Sequence, residues 1–146
     1  MENGTRKFLC VCPDNTRRSP MMAAILNQLL KERGVRAEVE SAGTLSVLRV
    51  QVWPVSPMAV AAVAESGSDI SGHRSRHISQ IDPGDYDVIF CANRRVMRHL
   101  FCRGFGNTQL VNTPWGLRDP EKMGVHRYLR CAEVIKNSFR EIVQVL

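Results

Sequence analysis

Segments typical of buried strands alternate along the chain with segments typical of helices, and this alternation restricts the fold more than any other feature. The first apolar run, residues 7–11, ends at Pro-Asp-Asn and predicts a buried strand. The Ser-Pro pair at 19–20 is typical of a helix start, with serine as the N-cap and proline at the first helical position. Paired apolar residues then recur at helical spacing until Gly34, which predicts the end of that helix.

The same alternation continues to the C-terminus. Residues 35–39 alternate between apolar and charged side chains, which predicts a half-exposed strand. A second Ser-Pro pair at 56–57 predicts a mostly buried helix that ends near Gly67. The remaining predicted elements are strands at 86–91 and 109–111 and helices at 94–101 and 128–146.

Strands that alternate with helices form βαβ units, which produce a parallel sheet with right-handed crossovers. We therefore predict an α/β fold, with a four-stranded parallel sheet flanked by helices, in a single domain that spans residues 1–146. Sheets of this kind bind ligands beyond the carboxyl ends of their strands. The loops expected to converge there are 12–19, the segment near 41–44, the loop after Cys91, and 112–120.

The charge of the chain points toward an anionic ligand. Twenty Lys and Arg residues against fourteen Asp and Glu give a net charge of +6, and sixteen of the cations are arginine. Arginine forms bidentate contacts with phosphate and carboxylate groups, which lysine does not. Net charge alone does not distinguish a phosphoprotein from another anionic partner.

The cysteine content and the hydropathy indicate a reduced, cytoplasmic protein. Five cysteines, an odd number, occur without a secretory signal, so we expect free thiols. No two of them have the spacing of a zinc site, and we expect neither a metal nor a cofactor. No apolar run approaches the ~18 residues of a membrane span, and we expect no membrane association.

The loop between the first predicted strand and the first predicted helix carries the chemistry. Residues 12–19 read C-P-D-N-T-R-R-S. A strand-to-helix turn directs successive backbone N–H groups inward, and the helix N-terminus adds partial positive charge, so the loop suits a tetrahedral dianion. Arg18 supplies a bidentate fork, and the same field favours the thiolate of Cys12. The Ser19 hydroxyl is placed to donate to that sulfur, so the pattern predicts phosphoryl transfer to cysteine.

The stretch from Val11 to Met21, V-C-P-D-N-T-R-R-S-P-M, resembles the phosphate loop of the low-molecular-weight protein tyrosine phosphatases. That family's loop has the form V-C-x-G-N-x-C-R-S-P. Three further segments match the family in the same order, namely S-A-G-T at 41–44, G-H-R-S-R at 72–76, and D-P at 119–120 before a long C-terminal helix. The resemblance extends along nearly the whole chain and implies a metal-independent phosphatase that acts on phosphoproteins and releases inorganic phosphate.

The resemblance also implies roles for individual residues. Cys12 attacks phosphorus and forms a phosphocysteine intermediate, while Arg18 binds the phosphate and the transition-state oxygens. Asp119 protonates the leaving group and then takes a proton from the hydrolytic water. Asn15 holds the shape of the loop, because asparagine tolerates left-handed backbone. The expected phosphate-binding residues are Asn15, Thr16, Arg17 and Ser19.

Two residues of the loop depart from the family pattern. Asp14 replaces a glycine and Arg17 replaces a second cysteine. An inward carboxylate at Asp14 would weaken phosphate binding, so we expect Asp14 and Arg17 to point outward and partly neutralise each other. Without the second cysteine, the loop lacks the disulfide with which some members protect an oxidised nucleophile.

Two classes of substrate fit the sequence. Phosphotyrosine is the main prediction, and phosphoarginine is the alternative. Glu121 follows Asp-Pro where the family usually has an aromatic residue, so Trp115, Trp53 or Tyr128 would have to provide a ring against a phenol. Thr16 resembles the residue found at that loop position in members that dephosphorylate arginine. An acidic Glu121 near the entrance would also suit a guanidinium leaving group.

Three other functions stay open at this point. Arsenate reductases resemble the family and use further cysteines after the third strand, where Cys91 and then Cys102 occur, although their spacing is longer than in those enzymes. A phosphate-binding module without turnover is a second alternative. Nucleic-acid binding is a third, which we do not expect because no RNA- or DNA-binding motif accompanies the arginines that would serve it, Arg94, Arg95, Arg98 and Arg103.

Overall fold

A four-stranded parallel sheet forms the centre of the protein, as the alternation of elements predicts. The computed structural model describes residues 4–106, 110–112, 120 and 124–145. Neighbouring strands pair in the order β2-β1-β3-β4, and every pairing is parallel. The strands are β1 (Arg6–Cys12), β2 (Ala37–Gly43), β3 (Val88–Cys91) and β4 (Leu110–Asn112).

Helices cover both faces of the sheet, so the predicted α/β class is confirmed. Three helices pack on one face of the sheet and enclose an apolar core against it, and the fourth helix packs on the opposite face. Those three are α1 (Arg18–Glu32), α2 (Pro57–Ala64) and α4 (Val125–Val143), and the fourth is α3 (Arg94–Cys102). In the described part of the chain, no helix is long and apolar enough to cross a membrane.

Strand β1 is buried on both faces, which fixes the position of its last residue. Phe8, Cys10 and Cys12 belong to the core under α1 and α4. Leu9 and Val11 face the core under α3. Burial of each large apolar side chain contributes about 1.5–3 kcal/mol. Cys12 therefore lies at the end of one of the most firmly held strands of the fold.

The carboxyl ends of the strands meet at one edge, where the sequence predicts the ligand site. Cys12 pairs with Gly43 of β2, and Val11 pairs with Cys91 of β3. Cys91 in turn pairs with Asn112 of β4. The loops that leave these strands consequently start side by side.

Two of the predicted boundaries that are wrong lie close to the ligand site, and they are wrong for different reasons. Strand β2 runs over Ala37–Gly43 instead of residues 35–39. It pairs with β1 along its whole length, but its second half, residues 40–43, lacks the alternation of apolar and charged side chains on which the prediction depends. Helix α1 begins at Arg18, so Ser19 lies inside the first turn and is not the N-cap. Arg17 is the N-cap residue, without a capping hydrogen bond from its side chain. Gly34, with φ of 71°, ends the helix as predicted.

Candidate active site

The loop from β1 to α1 is held in shape by Asn15. Among the described residues, Asn15 is the non-glycine residue with a positive φ, at 59°, in the left-handed region that asparagine tolerates. Its side-chain amide donates hydrogen bonds to the hydroxyls of Ser19 (2.8 Å) and Ser41 (2.9 Å). Its side-chain oxygen Oδ1 accepts one from the backbone N–H of Arg76 (2.9 Å). These three bonds offset the cost of the unusual backbone conformation.

Several hydrogen-bond donors converge on the sulfur of Cys12. The backbone N–H of Asn15 lies 3.3 Å from Sγ and that of Ser19 lies 3.4 Å from it. The Ser19 hydroxyl lies 3.0 Å from the same atom. This explains why Ser19 is turned inward instead of capping α1. The arrangement stabilises negative charge on sulfur at the N-terminus of a helix.

Asp14 is turned into the loop, contrary to the expectation from the sequence. Its side chain is buried, and Oδ1 accepts a hydrogen bond from the N–H of Thr16 (3.1 Å). The same oxygen lies 3.8 Å from the Cys12 sulfur, which donates a long hydrogen bond to it. Bonding of an Asp side chain to the N–H two residues on is a common turn geometry, and it draws the carboxylate inward. The expected ion pair with Arg17 is present through Oδ2.

The pKa of the Cys12 thiol reflects opposing influences. Burial raises it most, and the carboxylate of Asp14 raises it further. Arg18 and the hydrogen bonds from Ser19 lower it. The net direction is upward, whereas the loop and helix dipole alone predict a fall. Burial and the inward Asp14 account for the difference.

Arg18 and Thr16 occupy fixed positions beside the sulfur. Arg18 is buried in the first turn of α1, close enough to Cys12 for its charge to lower the pKa of the thiol. Thr16 is also buried, and its carbonyl accepts a hydrogen bond from the N–H of Ser56 at 2.9 Å. That bond fastens the segment before α2 to the loop. Of the site residues expected from the sequence, the structure brings Cys12, Asn15, Thr16, Arg17, Arg18 and Ser19 together in this loop.

A second layer of side chains supports the loop from behind. His73 Nε2 donates a hydrogen bond to the backbone carbonyl oxygen of Asn15 (2.8 Å), and burial lowers the pKa of His73. Arg76 donates from Nε to the Ser41 carbonyl (3.0 Å) and pairs with Glu40 (2.7 Å). The sequence marks the 72–76 segment only as a match to the family pattern, and the contacts show that His73 and Arg76 support the loop at Asn15. Glu40 cannot be identified as a supporting residue from the sequence, because its role depends on the pairing of β2 with β1.

Gly43 lets the end of β2 approach the loop. A Cβ atom at this position would lie 2.7 Å from the carbonyl oxygen of Pro13 and 3.1 Å from the Cβ of Asn15. The next two residues fasten the strands together, since Thr44 N–H donates to the Cys12 carbonyl (3.2 Å) and Leu45 N–H to that of Pro13 (3.0 Å). The S-A-G-T segment therefore contributes close packing to the site.

Several residues expected at the entrance lie outside the described residues. These are Asp119, Glu121 and Trp115. Of the two other aromatic candidates, Tyr128 is buried in the core, where its hydroxyl lies 3.4 Å from Ser56 Oγ, so it cannot stack against a substrate. Trp53 is half-buried, three residues before the hydrogen bond that joins Ser56 to the loop.

The cysteines after β3 do not resemble a relay. Burial raises the pKa of Cys91 to about 12, which makes this thiol a poor nucleophile. Cys102 is exposed at the other end of α3, a nine-residue helix about 13 Å long. In the part of the chain that the structure describes, no cluster of three or more His, Cys, Asp or Glu side chains has the arrangement of a metal site.

The model of the family described as "Low molecular weight phosphotyrosine protein phosphatase" matches residues 7–146. The chain belongs to this family. A curated member, the probable low molecular weight protein-tyrosine-phosphatase EpsP of Ralstonia solanacearum, is 38% identical over 74 residues. That alignment covers 51% of this chain and 46% of EpsP, so it spans about half of the relative's length. The family is one of cysteine-dependent phosphatases, which agrees with the loop around Cys12.

Several solved structures share the fold over nearly the full chain. The low molecular weight protein tyrosine phosphatase from T. tengcongensis superposes with a TM-score of 0.88 at 26% identity, covering 97% of this chain and 100% of that one. Wzb from Vibrio vulnificus, in complex with benzylphosphonate, has a TM-score of 0.84 at 22% identity, covering 98% and 100%. A mutant of the YwlE arginine phosphatase with a phosphorylated active-site serine has a TM-score of 0.83 at 18% identity, covering 96% and 95%. The last two likenesses show a common fold.

Proposed function

We propose that this member of the family hydrolyses phosphotyrosine in proteins in two steps through a phosphocysteine, without a metal. The observation that supports this most is the convergence of the Asn15 N–H, the Ser19 N–H and the Ser19 hydroxyl on the Cys12 sulfur, at the N-terminus of α1. These hydrogen bonds and the charge of the buried Arg18 favour the thiolate against the burial that opposes it, which suits attack on a phosphate monoester.

In the first step the Cys12 thiolate attacks phosphorus, and the bond from phosphorus to the tyrosine oxygen breaks. Arg18 and the backbone N–H groups of the loop hold the three non-bridging oxygens, on which the transition state carries its charge. Asp119 gives its proton to the departing phenolate oxygen. The products of this step are the dephosphorylated tyrosine and a phosphocysteine.

In the second step water attacks the phosphocysteine, and the sulfur–phosphorus bond breaks. Asp119, now ionised, takes a proton from the attacking water. The bonding electrons return to Cys12, where the Ser19 hydroxyl at 3.0 Å stabilises the thiolate. Inorganic phosphate leaves, and the site is restored.

Phosphoarginine is the second candidate substrate. Thr16, the residue type found at that loop position in members that dephosphorylate arginine, is buried in the loop that carries Cys12. The arginine phosphatase YwlE has the same fold at 18% identity. The two reactions share Cys12, Arg18 and Asp119 and differ in the leaving group, which is a phenol in one and a guanidinium in the other.

A side-by-side assay tests the proposal. Two peptides of equal sequence and charge distribution, one with phosphotyrosine and one with phosphoarginine, are given to the protein and to Cys12→Ser. We expect faster phosphate release from the phosphotyrosine peptide, none from either peptide with Cys12→Ser, and no effect of EDTA. A faster reaction with phosphoarginine would establish the second candidate, and equal rates with Cys12→Ser would overturn both.

The cellular setting is part of the proposal. All five cysteines are free thiols, including Cys10 and Cys91 on adjacent strands, which suits the reducing cytoplasm. The expected partners are phosphorylated proteins, and we expect association with neither membranes nor nucleic acid. Retention of activity after purification under reducing conditions, and its loss on mild oxidation, would agree with this setting.

A further inference from the structure

A cavity of about 560 Å³ lies between the phosphate loop, the residues after β2, and α3. We call it the α3 cavity. It adjoins the active site, because Pro13 and Arg18 of the loop form part of its wall. The other lining residues that matter here are His77, Arg95, His99 and Arg103.

The α3 cavity is cationic. Arg18, Arg95 and Arg103 line it, and none of its described lining residues is acidic. The first turn of α3 contains no acidic residue either, and its N-cap Asn93, which accepts a hydrogen bond from the Val96 N–H, is uncharged. Arg95 and Arg103 are exposed, and their guanidinium groups are therefore accessible to a ligand from solvent. A site with this charge selects an oxyanion over a neutral or cationic group.

His77 provides an independent sign of a ligand. Its ring is 1% exposed, and its Nδ1 accepts a hydrogen bond from the N–H of Ser79 (2.9 Å). Burial, together with Arg49, Arg103 and His99, lowers the pKa of His77, although a hydrogen bond to the backbone of Thr44 opposes this. Because Nδ1 accepts from Ser79, the ring carries its proton on Nε2. This buried atom makes no hydrogen bond of good geometry among the described residues, and the Thr44 backbone is a weak acceptor for it. An oxyanion in the cavity would give it a stronger acceptor.

We propose that the α3 cavity is a substrate subsite that binds a second oxyanion, carboxylate or phosphate, carried by a side chain near the scissile phosphotyrosine. The proposal rests on the proposed function. Because Arg18 belongs to both the phosphate loop and the cavity, the two anions are close enough to belong to one peptide. The protein would accordingly favour phosphotyrosine in acidic or multiply phosphorylated segments.

Three matched peptides test this, with the phosphotyrosine flanked on both sides by glutamine, by glutamate or by phosphoserine. We expect kcat/KM to be about fivefold to tenfold higher with either anionic flank than with glutamine, and the gain to shrink at high salt. The gain should lie in KM, because the second anion contacts the protein equally in the ground and transition states. The glutamate and phosphoserine arms separate the two sources of the oxyanion.

Variants assign the preference to the α3 cavity. Arg95→Gln combined with Arg103→Gln, and separately His77→Asn, should bring the ratio of anionic to neutral peptide close to one. Asparagine retains an acceptor for the Ser79 N–H but lacks Nε2. Arg98→Gln is the matched control, since Arg98 is exposed on the same helix and does not line the cavity. Hydrolysis of a small aryl phosphate should be unchanged in all of them.

Two results would overturn the subsite: equal kcat/KM for all three peptides with the unaltered protein, or an equal loss of preference in Arg98→Gln. Binding of the same peptides to Cys12→Ser, measured by fluorescence anisotropy, does not depend on turnover. Turnover without any preference in rate or binding would refute the subsite alone. A binding preference without turnover by the unaltered protein would refute the proposed function and keep the anion subsite.

Discussion

The Asp14 carboxylate lies 3.8 Å from the sulfur of Cys12, so the phosphate loop contains an anion of its own. Oδ1 of Asp14 accepts the hydrogen bond from the N–H of Thr16, which is therefore not free to donate to a bound phosphate. Arg17 neutralises part of the charge through Oδ2. The loop of this chain thus combines stabilisation of the thiolate by Ser19 and Arg18 with repulsion from a neighbouring carboxylate.

We predict that Asp14→Asn shifts the ionisation of Cys12 to lower pH. The change removes a negative charge that raises the pKa of the thiol and keeps the size of the side chain. Phosphate should also inhibit the variant at roughly threefold to tenfold lower concentration, because its charge is no longer opposed. The pH dependence of alkylation by iodoacetamide and the inhibition constant of phosphate measure the two effects.

Arg17→Gln serves as the counterpart of that variant. It leaves Asp14 without its ion-pair partner and should shift the ionisation of Cys12 to higher pH. The double variant should resemble Asp14→Asn alone. An unchanged ionisation of Cys12 in Asp14→Asn would show that the carboxylate has no influence on the nucleophile.

A methyl group at position 43 should disturb the site from a neighbouring strand. Gly43→Ala would place Cβ 2.7 Å from the Pro13 carbonyl and 2.5 Å from Leu48 Cδ1, and the backbone contact cannot yield without moving the loop. We expect a loss of about 1–3 kcal/mol in the free energy of unfolding, together with reduced turnover. Urea unfolding and hydrolysis of an aryl phosphate measure these. Gly72→Ala is the control, since its Cβ would meet no atom within 4 Å; equal behaviour of the two variants would contradict the prediction.

The stability of the protein should fall in mildly acid solution. Burial lowers the pKa of both His73 and His77 in the folded protein. Below the ordinary histidine pKa of about 6.5, the unfolded chain therefore binds more protons than the folded one, and protonation favours unfolding. Above that pH both forms are neutral and the full stability is present. Urea midpoints measured between about pH 5 and pH 7.5 should rise with pH, and His73→Gln should reduce that slope. A flat profile in the unaltered protein would contradict this.

The contribution of Asp119 to the rate of hydrolysis should depend on the leaving group of the substrate. Asp119→Ala should slow hydrolysis of a phosphotyrosine peptide by roughly a hundredfold or more, because the phenolate then leaves unprotonated. The loss should be smaller with an aryl phosphate whose leaving group is a strong acid, since that group needs no proton. Comparison of kcat for the two substrates measures the difference. An equal loss on both would indicate a role other than proton transfer.

The sequence predicts elements better than it predicts contacts. Local patterns suffice for the helices, because their apolar spacing and proline signals, as at Pro57, act within a few residues. The end of β2 is not predictable in this way, since Glu40 and Ser41 join the sheet only through pairing with β1.

The same limit applies to the site. The residues of the loop can be chosen from the spacing between Cys12 and Arg18 and from the family pattern. The inward turn of Asp14 depends on the backbone of the folded loop and contradicts the expectation based on charge. The poorly satisfied Nε2 of His77 depends on where the folded chain buries the ring, and the sequence assigns that residue nothing.

Detection of a covalent phosphoryl group on Cys12 would establish this cysteine as the nucleophile. Asp119→Ala is mixed with an aryl phosphate that has a good leaving group, the reaction is quenched within milliseconds, and peptide mass mapping locates the added group. We predict one phosphoryl group on Cys12, formed in the same burst as the released phenol, and no turnover in Cys12→Ser. A phosphoryl group on another residue, or undiminished turnover in Cys12→Ser, would contradict it.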